Sequence, residues 1–167
     1  MPQKWRATGM ILYHGTNTDF EKIDLHKSKP NKDFGQGFYL SDNLQQAKDM
    51  ASLRVELAGG EPLILKFSFN ESLLTSSELK VLRFEGYTED WAKFIIANRS
   101  NKTNAPVHNY DIVIGPIAND RVGRQLWRYN NHDINMPTLI RNLKYMKGIT
   151  IQYFFGTERA IQNLTRL

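Results

Sequence analysis

Two hydrophobic periods share this chain without alternating, and no other feature constrains its fold so tightly. Leu63, Leu65, Phe67 and Phe69 fall on every second position, the spacing of a strand with one buried face. Leu44, Ala47, Ala51, Val55 and Ala58 recur at three- and four-residue steps, the spacing of a helix. Asp42 with Gln45 three residues on has the form of a capping box, so the helix is expected to open at Asp42 and to end at Gly59-Gly60. Further strand-like runs lie at 10–13, 37–41, 80–85, 110–114 and 149–155. Thr88 caps another helix, with Glu89 and Asp90 in its first turn and Trp91, Phe94 and Ile95 on its apolar face. Residues 121–129, 137–146 and 157–167 also read as helices, and 26–35 and 98–105 as polar loops. Helices and strands mixed in this order favour an α+β fold over a doubly wound parallel sheet.

At 167 residues the chain reads as one domain, 1–167, with 1–9 as an N-terminal extension. The absence of Cys excludes disulfides, thiolate zinc sites and cysteine nucleophiles. No apolar run is long enough to span a membrane, and 10–13 is too short for the centre of a signal peptide. The N-x-S/T triplets at Asn70, Asn98, Asn101 and Asn163 are therefore read as chance, and a cytoplasmic location without membrane partners is expected. His26, His108 and His132 lack metal-ligand spacing, so no metal is expected. The net charge of +5 suits either solubility or a polyanionic partner. Arg121, Arg124 and Arg128 make one helical face, either a solvated stripe or a surface that tracks phosphates. Trp91 and Trp127 read as core or edge packing.

The segment 11–51 carries the chemistry. His14 closes an apolar strand and is followed by Gly15 and Thr16, which places it at a strand mouth suited to a hydroxyl or phosphate, or simply in a structural role. Gly35 and Gly37 bracket Gln36, either letting backbone approach a ligand or kinking a strand, and Tyr39 offers a flat face for stacking or for the core. A dinucleotide fingerprint would need a third glycine at position 40, which is Leu.

Together, His14-Gly15-Thr16 and Gly35-Gln36-Gly37-Phe38-Tyr39-Leu40-Ser41-Asp42 resemble the paired motifs of the ADP-ribosyltransferase superfamily, of the poly-ADP-ribose polymerase and diphtheria toxin type. The segments 110–118 and 152–160 resemble those of small bacterial members, so the resemblance extends over about 10–164. It implies a split β-sheet core, with two small sheets forming an NAD cleft flanked by helices. It also implies a glycosyltransferase-type reaction in which NAD is the co-substrate. His14 would bond a ribose hydroxyl, Gly15 would hold the nicotinamide amide through its backbone, and Tyr39 would stack on the nicotinamide. Thr16, Gly35 and Gly37 would complete the NAD-binding segments. Met50 stands where a second aromatic often covers the ring, and it offers no π face.

Gln152 occupies the place of the usual catalytic glutamate. It can accept a bond from the ribose 2′-hydroxyl but supplies no charge beside the developing cation. Charge-assisted hydrogen bonds are about twice as strong as neutral ones, so the substitution costs on the order of 1–2 kcal/mol of barrier, about ten- to thirty-fold in rate. That argues for a single transfer, with Glu158 or Asp120 as candidate substitute acids. The expected function is mono-ADP-ribosyl transfer to a macromolecule, nucleic acid slightly ahead of protein, in a bacterial toxin or defence role with an antitoxin partner. The alternative is a module on the same fold that binds NAD, ADP-ribose or nucleic acid without turnover. An RNA end-processing phosphotransferase ranks last, because no arginine lies between His14 and Tyr39.

Overall fold

Residues 9–167 are described by a computed structural model. The chain runs β1 (Gly9–Thr16), β2 (Phe38–Leu40), α1 (Leu44–Ala58), β3 (Leu63–Asn70), a short 3-10 turn (Glu71–Leu74), β4 (Val81–Arg83) and α2 (Glu89–Arg99). It continues through β5 (Ile112–Pro116), α3 (Asp120–Asn130), α4 (Met136–Lys144), β6 (Ile151–Phe155), α5 (Glu158–Ile161) and β7 (Thr165–Arg166). One sheet has the order β1-β3-β7 and is antiparallel. The other has the order β2-β6-β5-β4, with β4 and β5 parallel and the remaining pairs antiparallel. The fold is α+β, with two small sheets and flanking helices.

Period-two alternation explains how the layers stack. Met10 and Leu12 of β1 lie opposite Phe69 and Phe67 of β3, and these side chains share a core with Phe38, Leu40, Ile112, Ile114, Tyr153 and Phe155 of the second sheet. The intervening residues Tyr39, Val113 and Phe154 turn to the opposite face. There Trp91 and Ile95 of α2, Val122 and Leu126 of α3, and Leu139 and Leu143 of α4 cover them. The outer face of the first sheet carries α1. A Cβ on Gly15 would come within 1.9 Å of the Ala47 carbonyl oxygen, so Gly15 is what lets the helix lie this close.

The two sheets meet at one corner. Past Leu40 the chain leaves β6 and crosses to β1, where Tyr13 N–H donates to Ser41 C=O at 2.7 Å and Ser41 N–H donates to Tyr13 C=O at 2.8 Å.

Several boundaries differ from expectation. Asn43, not Asp42, caps α1: its side chain accepts from Gln46 N–H, and Asp42 instead accepts from the Tyr153 hydroxyl at 3.3 Å. Gly59 ends that helix at φ 78°, as its position implies. The segment expected as a terminal helix, 157–167, keeps one turn at α5 and then extends as β7. The free edge of β3 outcompetes helix there, and Arg166 ties the strand to Phe20 C=O and Asp19. β5 runs through Gly115 to Pro116 rather than stopping before them. Of the expected extension 1–9, only Gly9 lies within the described residues, and it opens β1.

Two segments singled out in the sequence are joined by one buried carboxylate. Asp111 is 1% exposed and accepts from Thr157 Oγ1 at 2.6 Å, Lys80 N–H at 2.8 Å and Arg159 Nη2 at 3.0 Å. Burial works against its charge, but these hydrogen bonds and the Arg159 cation hold its carboxyl below the usual range. Asp111→Ala is expected to cost about 3 kcal/mol of unfolding free energy, because it strands buried donors. Urea denaturation monitored by circular dichroism measures it, and a loss below 1 kcal/mol (roughly one ordinary hydrogen bond) would contradict this account.

Candidate functional site

β1, β2 and β6 place three of the expected residues at the corner where the sheets meet. His14 lies on the inner face of β1, its ring 4.3 Å from that of Phe38 and 5.9 Å from that of Phe20. Its Nδ1 is 2.7 Å from the Tyr39 carbonyl oxygen. A carbonyl can only accept, so Nδ1 carries the proton and Nε2 is left with a lone pair. Burial is the main cause lowering the pKa to about 4; the Tyr39 carbonyl opposes it, and the Arg54 and Lys27 cations reinforce it. At neutral pH His14 is therefore a fixed, uncharged acceptor.

Gly15 supplies the complementary donor. Tyr13 directs both backbone groups at Ser41, and antiparallel alternation points those of Gly15 to the same side, where β2 has already turned away to β6. The amide edge of Gly15 thus lies one residue from the imidazole with no strand beside it. Thr16 is buried and closes the end of β1, its hydroxyl accepting from Thr18 N–H at 3.2 Å.

Tyr39 is half-buried and locked. Its hydroxyl donates to Gly35 C=O at 2.6 Å and accepts from Phe34 N–H at 3.0 Å, and its ring stacks on Phe34 at 6.3 Å and leans on Phe154 at 5.1 Å. Burial pushes the phenol well above its ordinary value, so it stays protonated. Its ring and the His14 imidazole sit on opposite faces of β2, joined through the Tyr39 backbone. Gly35 takes φ 102° at the turn into β2. Gly37 makes room for a ring: a Cβ there would come within 2.3 Å of Phe154.

Gln152 precedes Tyr153 on β6, one residue beyond the last β2–β6 pair, and lies opposite Gly115 of β5. Its side chain is half-buried and makes no hydrogen bond among the described residues. Met50 is half-buried on α1, one turn before Arg54. Glu158 and Asp120 open α5 and α3 and make no described contact with His14, Tyr39 or Gln152.

Sequence reasoning missed a cationic rim at this corner. Besides acting on His14, Arg54 lowers the pKa of the Lys32 ammonium, second only to burial and ahead of Lys29. Arg54, Lys27, Lys29 and Lys32 therefore gather from α1 and the 26–35 loop, which single charges scattered in sequence do not reveal.

Two concavities lie elsewhere. One, shallow and about 500 Å³, follows α3 between Asp120, Arg124, Trp127, Arg128 and Asp133. Trp127 is 61% exposed there and so lies outside the core, whereas Trp91 is buried with its Nε1–H on Pro116 C=O. The other, about 390 Å³, lies behind Gly35 and Phe154. No group of three or more potential metal ligands occurs among the described residues, and no described helix is long and apolar enough to cross a membrane.

An α+β domain with a polar corner between its sheets is the class this geometry defines. Residues 10–165 match the model of the DUF3990 family, described as a protein of unknown function, and the chain belongs to that family. No curated protein and no solved structure matches it.

The His14 pKa fixes the sign of a pH effect. In the unfolded chain His14 binds a proton below about pH 6.5, whereas in the fold it resists protonation down to about pH 4. Its contribution to stability is whole above pH 6.5 and falls as pH drops towards 4, by up to about 3 kcal/mol. Thermal melts between pH 7.5 and 4 (roughly spanning the ordinary and shifted values) should show a decline that shrinks in His14→Gln. An identical decline in both proteins would count against a buried His14 that stays neutral in the fold.

Proposed function

We propose that this protein is a mono-ADP-ribosyltransferase on an ADP-ribosyltransferase-like split-sheet fold, taking NAD as co-substrate. The observation that carries the reading is the His14 Nδ1–Tyr39 carbonyl bond. It leaves a neutral Nε2 acceptor next to the unpaired backbone edge of Gly15, the pairing that a ribose hydroxyl and a carboxamide require together.

The chemistry then follows from the side chains. His14 Nε2 accepts from a ribose hydroxyl, and Gly15 N–H and C=O take the carbonyl and amine of the nicotinamide carboxamide. Met50 supplies a wall for the ring, whereas Tyr39, its ring turned to the other face of β2, serves through the carbonyl that orients His14, with Thr16, Gly35 and Gly37 shaping the segments that carry these groups. The cations Arg54, Lys27, Lys29 and Lys32 favour the diphosphate. The bond from the ribose C1′ to nicotinamide breaks with its electron pair going to the ring nitrogen. Gln152 accepts from the 2′-hydroxyl as positive charge develops on the ribose. The acceptor nucleophile bonds to C1′ and releases its proton. A macromolecular acceptor and a bacterial toxin or defence role, held in check by an antitoxin, accord with this chemistry and with the basic balance of the chain.

Purified protein given labelled NAD and a cell extract should label a macromolecule, with nuclease and protease digestion identifying which. His14→Ala should abolish the label. Gln152→Glu should raise the rate about ten- to thirty-fold, by restoring charge opposite the developing cation. Labelling that survives His14→Ala would sink the proposal, and calorimetric NAD binding without turnover would replace it with a non-catalytic binding module.

A further inference from the structure

Most of the chain's positive charge sits in one pair of helices. Residues 120–147 hold six Lys or Arg side chains and two carboxylates, so they carry four of the five net positive charges. α3 and α4 pack through Asn142 Nδ2, which donates to Gln125 Oε1 at 2.9 Å. The same oxygen accepts from Arg128 Nη1 at 3.5 Å, so α4 helps to aim that guanidinium.

Arginines elsewhere serve the fold by pairing with carboxylates: Arg99 with Asp33, Arg159 with Asp111 and Arg166 with Asp19. Those of α3 do not. Arg121, Arg124 and Arg128 make no salt bridge among the described residues, although Asp120 and Asp133 line the same hollow as Arg124 and Arg128. Trp127 stands in that hollow, 61% exposed. Trp91 is buried and meets Tyr87 edge-on, whereas Trp127 pairs with no ring and lies under no cation among the described residues. A large π face and two uncommitted guanidiniums thus open on one surface, outside both cores.

Guanidiniums beside a flat ring suit a partner that alternates anionic groups with planar ones. The two carboxylates decide among anionic partners. An acidic polypeptide sets like charges against Asp120 and Asp133. A lipid surface does the same, and no aliphatic side chain lines the hollow to enter it. A nucleotide instead offers those carboxylates amine and hydroxyl donors while its phosphate meets the arginines. Stacking on an exposed indole requires a base free of its pairing partner. We propose that the α3 hollow binds single-stranded nucleic acid, with Trp127 stacking on a base and Arg124 and Arg128 holding the phosphates beside it.

Fluorescence anisotropy with labelled single-stranded DNA and RNA of mixed sequence, about twelve nucleotides long, measures it over a salt series. Trp127→Leu keeps apolar area but removes the π face, and should weaken binding at least about fivefold, with Trp127→Tyr restoring most of the loss. Arg124→Gln should lower the salt slope by about 0.7, the share of one phosphate. Both side chains are exposed, so unchanged thermal melts will show that the variants fold. Absence of binding, or binding that Trp127→Leu leaves intact, would overturn the proposal. So would equal or tighter binding to the same sequence as a duplex, to polyglutamate or to phosphatidylserine vesicles. The measurement contains no NAD, so this proposal and the transferase reading stand or fall separately.

Discussion

The corner at which Tyr13 pairs with Ser41 fixes how the two sheets meet and with it the geometry of the candidate site. β2 is three residues long and belongs to two sheets in succession, giving Phe38–Leu40 to β6 and then Ser41 to β1. That handover sets the crossing of the sheets and brings His14 over the Tyr39 carbonyl. It also leaves the backbone of Gly15 without a neighbouring strand. Each consequence is a matter of hydrogen-bond direction rather than of apolar burial. The two cores on either side of the second sheet supply most of the stability, but they would be satisfied by many arrangements of β1 and β2.

Periodicity made much of the fold legible. The alternation of Leu65, Phe67 and Phe69 and the stripe of Ala47 and Ala51 appear in the structure as a half-buried strand and a packed helix. What periodicity could not carry was competition at the ends. Asn43 and Asp42 are both good caps, and the tertiary bond from Tyr153 to Asp42 is invisible in sequence. Residues 162–167 have no strong pattern, so an open strand edge nearly a hundred residues earlier decides their conformation.

The candidate site was legible in part, for the same reason. His14 and Tyr39 stand out as side chains beside glycines, but the contact between them runs through a main-chain carbonyl that no side-chain motif encodes. Gly37 reads as room for a ligand, and in the structure that room belongs to the ring of Phe154. The segment around Asp111 and the one around Thr157 and Arg159 look separate until the buried carboxylate joins them.

The unpaired stretch of β1 beyond Tyr13 is short, and its length matters. A long open β-edge invites another polypeptide to add on, with aggregation as the usual outcome. Here the portion without a strand beside it is the single residue Gly15, since Thr16 turns back to Leu63 of β3, and α1 is pressed against one side of it. Too few amides remain to nucleate a cross-chain ladder. The one amide edge that β1 leaves without a strand is thus short and sheltered, which keeps the protein from becoming sticky towards its own kind.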